Sequence, residues 1–414
     1  MSCVMYPARK VTSCQQQAHI LNYLFHGGAP IDFIYLTSNL PTRMQPHLKD
    51  LVPAALVNLC SLSYRCLTFS CLGMTTRPKL QKLVLVGCMM TEGKLSYALR
   101  ALPALRHLEL KTLYSCPIST VSFPGKMLSG LQMLTYLELS DGLLYESTVM
   151  QNLHYLTDLQ HLRLSSGGTD DDKTMWHVTA ADQSTLQHLT SLKLQRYPKY
   201  RPDKEPGPDI DHGILFNKLK LCRLCLDGVY MTELAPVSEL LSRVQELLRL
   251  KHLSLQGSLR CRAHTAAPFA ALTANSGLTH LDLRGCDFPP EAWLCMLPAG
   301  RLLPHLQCLL VKAAPPNANF EDDDIDIPLD YSTKHDKTTE HMTFDDVTRL
   351  VTCCPGLRQL WVSNLIASAE ALALLQDHLP HLQDLDAHAA DEEAVAVLAL
   401  MAGLKNLERA SRCG

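Results

Sequence analysis

The chain has 414 residues, of which 47% are hydrophobic and only 6% aromatic, and its formal net charge is −3. That length holds two or three ordinary domains or one long repeat array, and a charge so near neutral argues against a dedicated nucleic-acid binder. The longest apolar run, residues 394–404, is too short to cross a bilayer, so a membrane protein is not expected.

The first residues, MSCVMYPARKVTSC, lack a continuous apolar stretch, and no secretory signal is expected. The 16 cysteines follow no secreted framework. They are read as reduced thiols of a cytoplasmic protein, with cytoskeletal or nuclear placement as alternatives. Ser13 and Gln16 stand at capping-box spacing ahead of Ile20, Leu21, Leu24 and Phe25, and Gly27-Gly28 ends that stripe. A helix over 13–26 is therefore predicted inside a capping region, 1–30.

From residue 31 to 414 one pattern recurs, L-x-x-L-x-L. Loose copies begin at Ile31 (IDFIYLTSN) and Tyr64 (YRCLTFSCL). Good ones begin at Leu80, Leu105, Leu134, Leu159, Leu189, Leu221, Leu250, Leu278, Leu306 and Leu357, and weaker ones at Leu382 and Leu404. Most steps are about 25 to 32 residues, which is the period of a solenoid. The fourth and sixth positions alternate on a short strand and share a face, while the first anchors the approach. Between strands, MTELAPVSELLSRVQELLRL, SAEALALLQDHL and DEEAVAVLALMAGL carry helical stripes. Each repeat is thus expected to be strand, turn and helix, stable only when stacked. Two insertions, 196–213 and 314–346, are rich in charge and proline and are predicted to be exposed loops; TDDDK at 169–173 is a shorter acidic break. At the end, Arg409 stands where an apolar residue belongs, as in a cap.

On these copies the chain resembles the leucine-rich-repeat proteins over nearly its whole length. Cys88 and Cys286 hold the ninth position, where that family places Asn or Cys, and Asn39 does so in the first copy. Leu113, Gly142, Gly167, Tyr197, Val229 and Ser258 depart from it. The resemblance implies an α/β leucine-rich-repeat solenoid, or horseshoe, with a parallel concave sheet and a largely helical convex side. It also implies that the ninth side chain turns inward to satisfy backbone groups.

Motifs for chemistry are weak. Asp322, Asp324 and Asp326 open like a calcium loop, but Ile327 and Thr333 stand where Gly and Glu are needed. Cys222 and Cys225 form an isolated C-x-x-C with no second pair for zinc. His107, His161, His252 and His280 share the third position and should form a broken file along the sheet. No HExxH, P-loop or GxSxG occurs. The reading is a non-enzyme without cofactor or metal.

Function then falls to the outward strand positions. His161, Arg163, Lys193 and Arg223 should make a basic patch, and His252, His280, Asp282, Arg284 and Trp361 a mixed charged and aromatic one. The expectation is a protein-binding scaffold using the concave face, with neither nucleic acid nor membrane as partner. The alternative is a substrate receptor of a ubiquitin ligase docking the ligase adaptor, as F-box leucine-rich-repeat proteins do. LPTRMQPHLKDLVPAAL (40–56) is the nearest stretch to an F-box, and it matches poorly.

Overall fold

A strand whose alternate residues are leucine can bury one face and must wet the other. The computed structural model builds its sheet from that alternation. It describes residues 33–36, 61–65, 79–87, 92–111, 114–115, 119–120, 123, 125–140, 149–167, 186–197, 220–228, 234–259, 266–286, 292–311, 344–389 and 392–401. The predicted helix at 13–26, the acidic break and the weak copy at Leu404 lie outside them. The chain divides into two units, residues 1–199 with 217–220, and residues 200–216 with 221–414.

The first unit contains β1 (Phe33–Leu36), β2 (Ser61–Arg65), β3 (Lys82–Val86), α1 (Glu92–Arg100), β4 (His107–Lys111), a short antiparallel pair β5 (Tyr114–Ser115) and β6 (Ser119–Thr120), β7 (Tyr136–Ser140), α2 (Val149–Asn152), β8 (His161–Gly167) and β9 (Ser191–Tyr197). Its main strands pair in the order β1-β2-β3-β4-β7-β8-β9, every pair parallel. The second unit contains β10 (Arg223–Asp227), α3 (Leu234–Glu246), β11 (His252–Ser254), β12 (His280–Asp282), α4 (Ala292–Met296), β13 (Cys308–Val311), α5 (Phe344–Cys353), β14 (Gln359–Ala367), α6 (Ala369–His378), β15 (Asp384–Ala389) and α7 (Glu392–Leu400). Here β10 to β15 pair in sequence order, again all parallel. The fold is α/β, a succession of parallel strands with helical returns. Among the described residues no helix is long and apolar enough to cross a membrane.

The leucines of the pattern face inward. Leu105, Leu108 and Leu110 are all buried, as are Leu250, Leu253 and Leu255 in the second unit. The three predicted helical stretches are helices, and Ser368 caps α6 by accepting from the Ala371 N–H. Other returns are shorter than expected: 3₁₀ turns over Gly125–Gly130, Leu153–Tyr155 and Ala267–Thr273 replace full helices.

Backbone bonding sets the register. The N–H groups of positions two and three both donate to the position-two carbonyl of the preceding strand. Arg106 and His107 meet the Gln81 carbonyl, each at 2.8 Å, and Lys251 and His252 meet that of Cys222. Three positions before most of the described copies a further apolar residue receives the first leucine's N–H. Leu102 accepts from Leu105, Leu156 from Leu159, and Leu303 from Leu306. That buried position is part of the repeat and was not read from the sequence. Asn275 occupies it in one turn. Its side-chain amide donates to the Leu247 and Leu250 carbonyls, both at 3.0 Å, tying two turns together.

The eighth position is glycine in four copies, Gly87, Gly228, Gly257 and Gly285, each with φ between 62° and 70°. At the ninth, the Cys286 thiol donates to the Leu255 carbonyl at 2.9 Å. Ser258, expected to be a departure from the pattern, makes the same bond to the Leu226 carbonyl. A hydroxyl donates as a thiol does, so this position asks for a small donor rather than a particular residue.

Three further expectations need correction. The second strand is Ser61–Arg65, and its pairing of Ser61 with Lys82 places the copy at Leu59 (LCSLSY), not at Tyr64. The copy at Tyr64 would have turned Leu62 out of the apolar row. Of the insertion 196–213, Arg196 and Tyr197 belong to β9, and of 314–346, residues 344–346 open α5. The remainder of both lies outside the described residues.

Burial separates leucines that look alike. Leu253→Ala, in a strand buried on its inner face, should cost about 2 to 5 kcal/mol. Leu248→Ala, five residues earlier and 83% exposed, should change stability by less than about 0.5 kcal/mol. Urea unfolding of the two variants measures the difference, and equal losses would contradict the inward packing of the strand.

Candidate interaction surface on the outward rows of the sheet

Positions three, five and seven of each strand point away from the leucines and form three rows. In the first unit the third-position row runs Lys82, His107, Tyr136, His161, Ser191 by register. The His107 and Tyr136 rings stack with centroids 4.1 Å apart, and His161 lies tilted beside Tyr136 at 5.9 Å. The predicted histidine file is therefore continued here by a tyrosine.

Beside this row an ionic network forms around Glu138, whose side chain is 3% exposed. Its Oε2 accepts from the Tyr136 hydroxyl at 2.6 Å. Its Oε1 meets both Lys111 Nζ at 3.1 Å and Arg163 Nε at 3.2 Å. The Arg163 contact is electrostatic, since Nε lacks hydrogen-bond alignment to any described acceptor. Lys111 also reaches Glu109 at 2.6 Å, and His107 Nε2 stands 3.7 Å from the same carboxylate. His107 and Lys111 hold the Glu109 carboxyl down to about 2, although burial pulls the other way. Burial and the bond to Glu138 raise the Tyr136 hydroxyl well above its usual value.

In the second unit the third-position row is Arg223, His252, His280, Cys308, Gln359, Asp384. His252 and His280 are neighbours as expected, their rings 5.2 Å apart. Burial, then the charge of Arg223, then His280 lower His252 to about 4; burial and Arg223 also lower His280. On the next row, Ser254 donates to a carboxylate oxygen of Asp227. Asp282 and Arg284, two residues apart on one face, form a bidentate pair through Nε at 2.9 Å and Nη2 at 2.7 Å. The Arg284 guanidinium carbon lies 5.8 Å from the ring centre of Trp361, two strands further along, where Leu310 and then Trp361 follow Asp282 in register.

Several expectations about these rows change. The outward side chains do not all stand in solvent: Glu138, Cys225 and Ser254 are buried. Neighbouring strands only about 4.8 Å apart let long side chains roof over short or central ones. Arg223 belongs to the second unit, where it pairs with His252 in register. Within the first unit Arg163 and Lys193 are register partners, as are His161 and Ser191. Lys111, Tyr136 and Glu138 were not singled out beforehand. Two-residue alternation continued to the seventh position would have placed Lys111 in the network.

For metal chemistry, Cys222 and Cys225 are three residues apart on one strand path and so point to opposite faces, with Cys225 buried. The Asp322, Asp324 and Asp326 motif lies outside the described residues. Among the described residues no group of three or more His, Cys, Asp or Glu side chains is placed to hold a metal ion. Burial pushes the Cys286 and Cys354 thiols up to about 12, so both are protonated at neutral pH.

The half-buried His252 has a testable consequence. Unfolded chains take up a proton at His252 near pH 6.5, the native protein only near 4. The unfolded state therefore binds more protons between these values, and stability from this group falls as the pH descends through that window. About 1 to 2 kcal/mol of the acid loss, allowing for solvent screening, should vanish in His252→Gln. Urea midpoints of both proteins at pH 7 and pH 4 measure it, and identical pH slopes would refute it.

No family model matches the chain, and a search of curated proteins finds no match.

Proposed function

We propose that the chain is a leucine-rich-repeat protein and a non-catalytic, cytoplasmic scaffold that binds a protein partner on the outward rows of its strands. The inward leucines, the parallel register and the ninth-position donors of Ser258 and Cys286 support the family reading. The cysteines Cys222, Cys225, Cys286, Cys295, Cys308, Cys353 and Cys354 stand as thiols, which suits a reducing compartment.

One observation carries the binding role: Arg284 is clamped by Asp282 on one side and faces Trp361 on the other. Arg and Trp dominate binding hot spots because they present large contact area with directional polar groups. Here the ion pair and the indole hold the guanidinium before any partner arrives, which lowers the ordering cost of association. The Trp361 Nε1 is buried and meets no acceptor among the described residues.

The test is affinity capture from the native cell with quantitative crosslinking to peptides of this face. A stoichiometric partner should be lost at least roughly tenfold with Trp361→Ala or Arg284→Ala, a loss of about 1.4 kcal/mol or more. Leu248→Ala, off the face, should leave capture intact. Retention of the partner by all of the face variants would end the proposal.

A further inference from the structure

We propose that the outward sheet face of the first unit is built to receive an acidic segment of a partner protein, in extended form, across β3, β4, β7, β8 and β9. This rests on reading the outward rows as a binding surface and assigns the chemistry of what binds there.

The argument is the layering of charge. Among the described outward positions of these strands stand four cations, Lys82, Lys111, Arg163 and Lys193, and two carboxylates, Glu109 and Glu138. The carboxylates lie low, with side chains 18% and 3% exposed, while Lys111 and Arg163 are 31% and 40% exposed. Lys82 is exposed at one side of the set and Lys193 is half-exposed at the other. A partner arriving from solvent therefore meets cationic ends before it meets carboxylate, and the outer surface is positive although the chain as a whole carries −3.

Geometry makes this more than a count. Lys111 and Arg163 converge on one oxygen of Glu138, so the buried carboxylate of β7 holds two cations, one on each flanking strand, β4 and β8. Arg163 meets that oxygen through Nε, and its part-exposed fork carries two further terminal nitrogens. Such a fork matches a carboxylate bidentately. Lys193, paired with Arg163 in register, continues the positive row by one strand. A run of aspartates or glutamates crossing the strands would find cations on β3 and β4 and again on β8 and β9, with the sunken Glu138 of β7 between the two pairs.

An acidic polypeptide fits better than a nucleic acid. Four cations interleaved with two carboxylates are few for a phosphate backbone, whose affinity comes from displacing many counterions. They suit a segment whose charges are spaced along an extended chain.

The full chain is titrated into a fluorescein-labelled peptide of alternating Asp and Ala, followed by anisotropy at low and high salt. Parallel titrations use the Lys/Ala analogue and a single-stranded oligodeoxythymidylate. The acidic peptide should bind and weaken steeply with salt, and the lysine peptide should not bind. Arg163→Gln and Lys193→Gln should each weaken binding by roughly fivefold or more, and Lys193→Glu further, with Lys126→Gln, exposed and off the face, unchanged. Urea midpoints equal to wild type separate loss of charge from loss of fold. No preference for the acidic peptide, or equal binding by the face variants, overturns the proposal, and tighter binding of the oligonucleotide replaces it with nucleic-acid recognition. Cellular capture that still depends on Trp361 while the peptide fails would leave the scaffold reading standing and reject this one alone.

Discussion

The structure depends on a backbone lattice in which one carbonyl per repeat accepts two consecutive N–H groups from the next. Gln81, Arg106, Thr135 and Gln160 supply it in the first unit, and Cys222, Lys251, Thr279, Gln307 and Arg358 in the second. In three repeats the position-two threonine adds its hydroxyl to the same oxygen: Thr135 onto Arg106, Thr190 onto Gln160, Thr279 onto Lys251. A slip of one residue would break these bonds and turn every leucine of the strand outward, so bonding and burial enforce one register together. Parallel pairing is otherwise weakly specified per residue, and repetition makes it cooperative.

Much of this lattice was legible because aliphatic spacing reports directly on burial. Leu108 with Leu110, and Leu281 with Leu283, fill the fourth and sixth positions and are buried. The copy at Tyr64 misled because TyrArgCysLeu imitates the spacing, while the true strand over 61–65 has serines at the third and fifth positions and a weaker signature. The apolar residue three positions upstream of most described copies escaped notice for a different reason. It belongs to the approach turn, whose bond to the first leucine is local and leaves no strand-like alternation. The ninth position was legible for Cys286 but not for Ser258, where a rule about residue type concealed a rule about donor capacity.

The candidate site was less legible. Sequence periodicity could say that Asp282 and Arg284 share a face, since residues two apart on a strand always do. It could also place Arg163 beside Lys193, once both strands were found. It could not say that Glu138 sinks beneath its neighbours while Arg163 rises. That depends on which long side chains lean over which short ones, a matter of cross-strand packing rather than of pattern. For the same reason the histidine file looked broken in the sequence yet closes in space, with Tyr136 between His107 and His161.

The buried carboxylate is the feature that the lattice does not need. Backbone bonds and leucines already define the strand, and replacing a buried ion pair by apolar residues of like volume often leaves stability unchanged or improves it. Glu138 instead spends its two oxygens on Tyr136, Lys111 and Arg163, groups that all belong to the outward rows. Asp282 does the same for Arg284, and Asp227 for Ser254. In each case an acid fixes the position of a neighbour without adding to the leucine core. A sheet surface that only had to stay wet could leave its lysines and arginines mobile, gaining side-chain entropy of up to about 2 kcal/mol for each. Holding them still is a cost in the isolated protein. It becomes an advantage only when something else must find them in place.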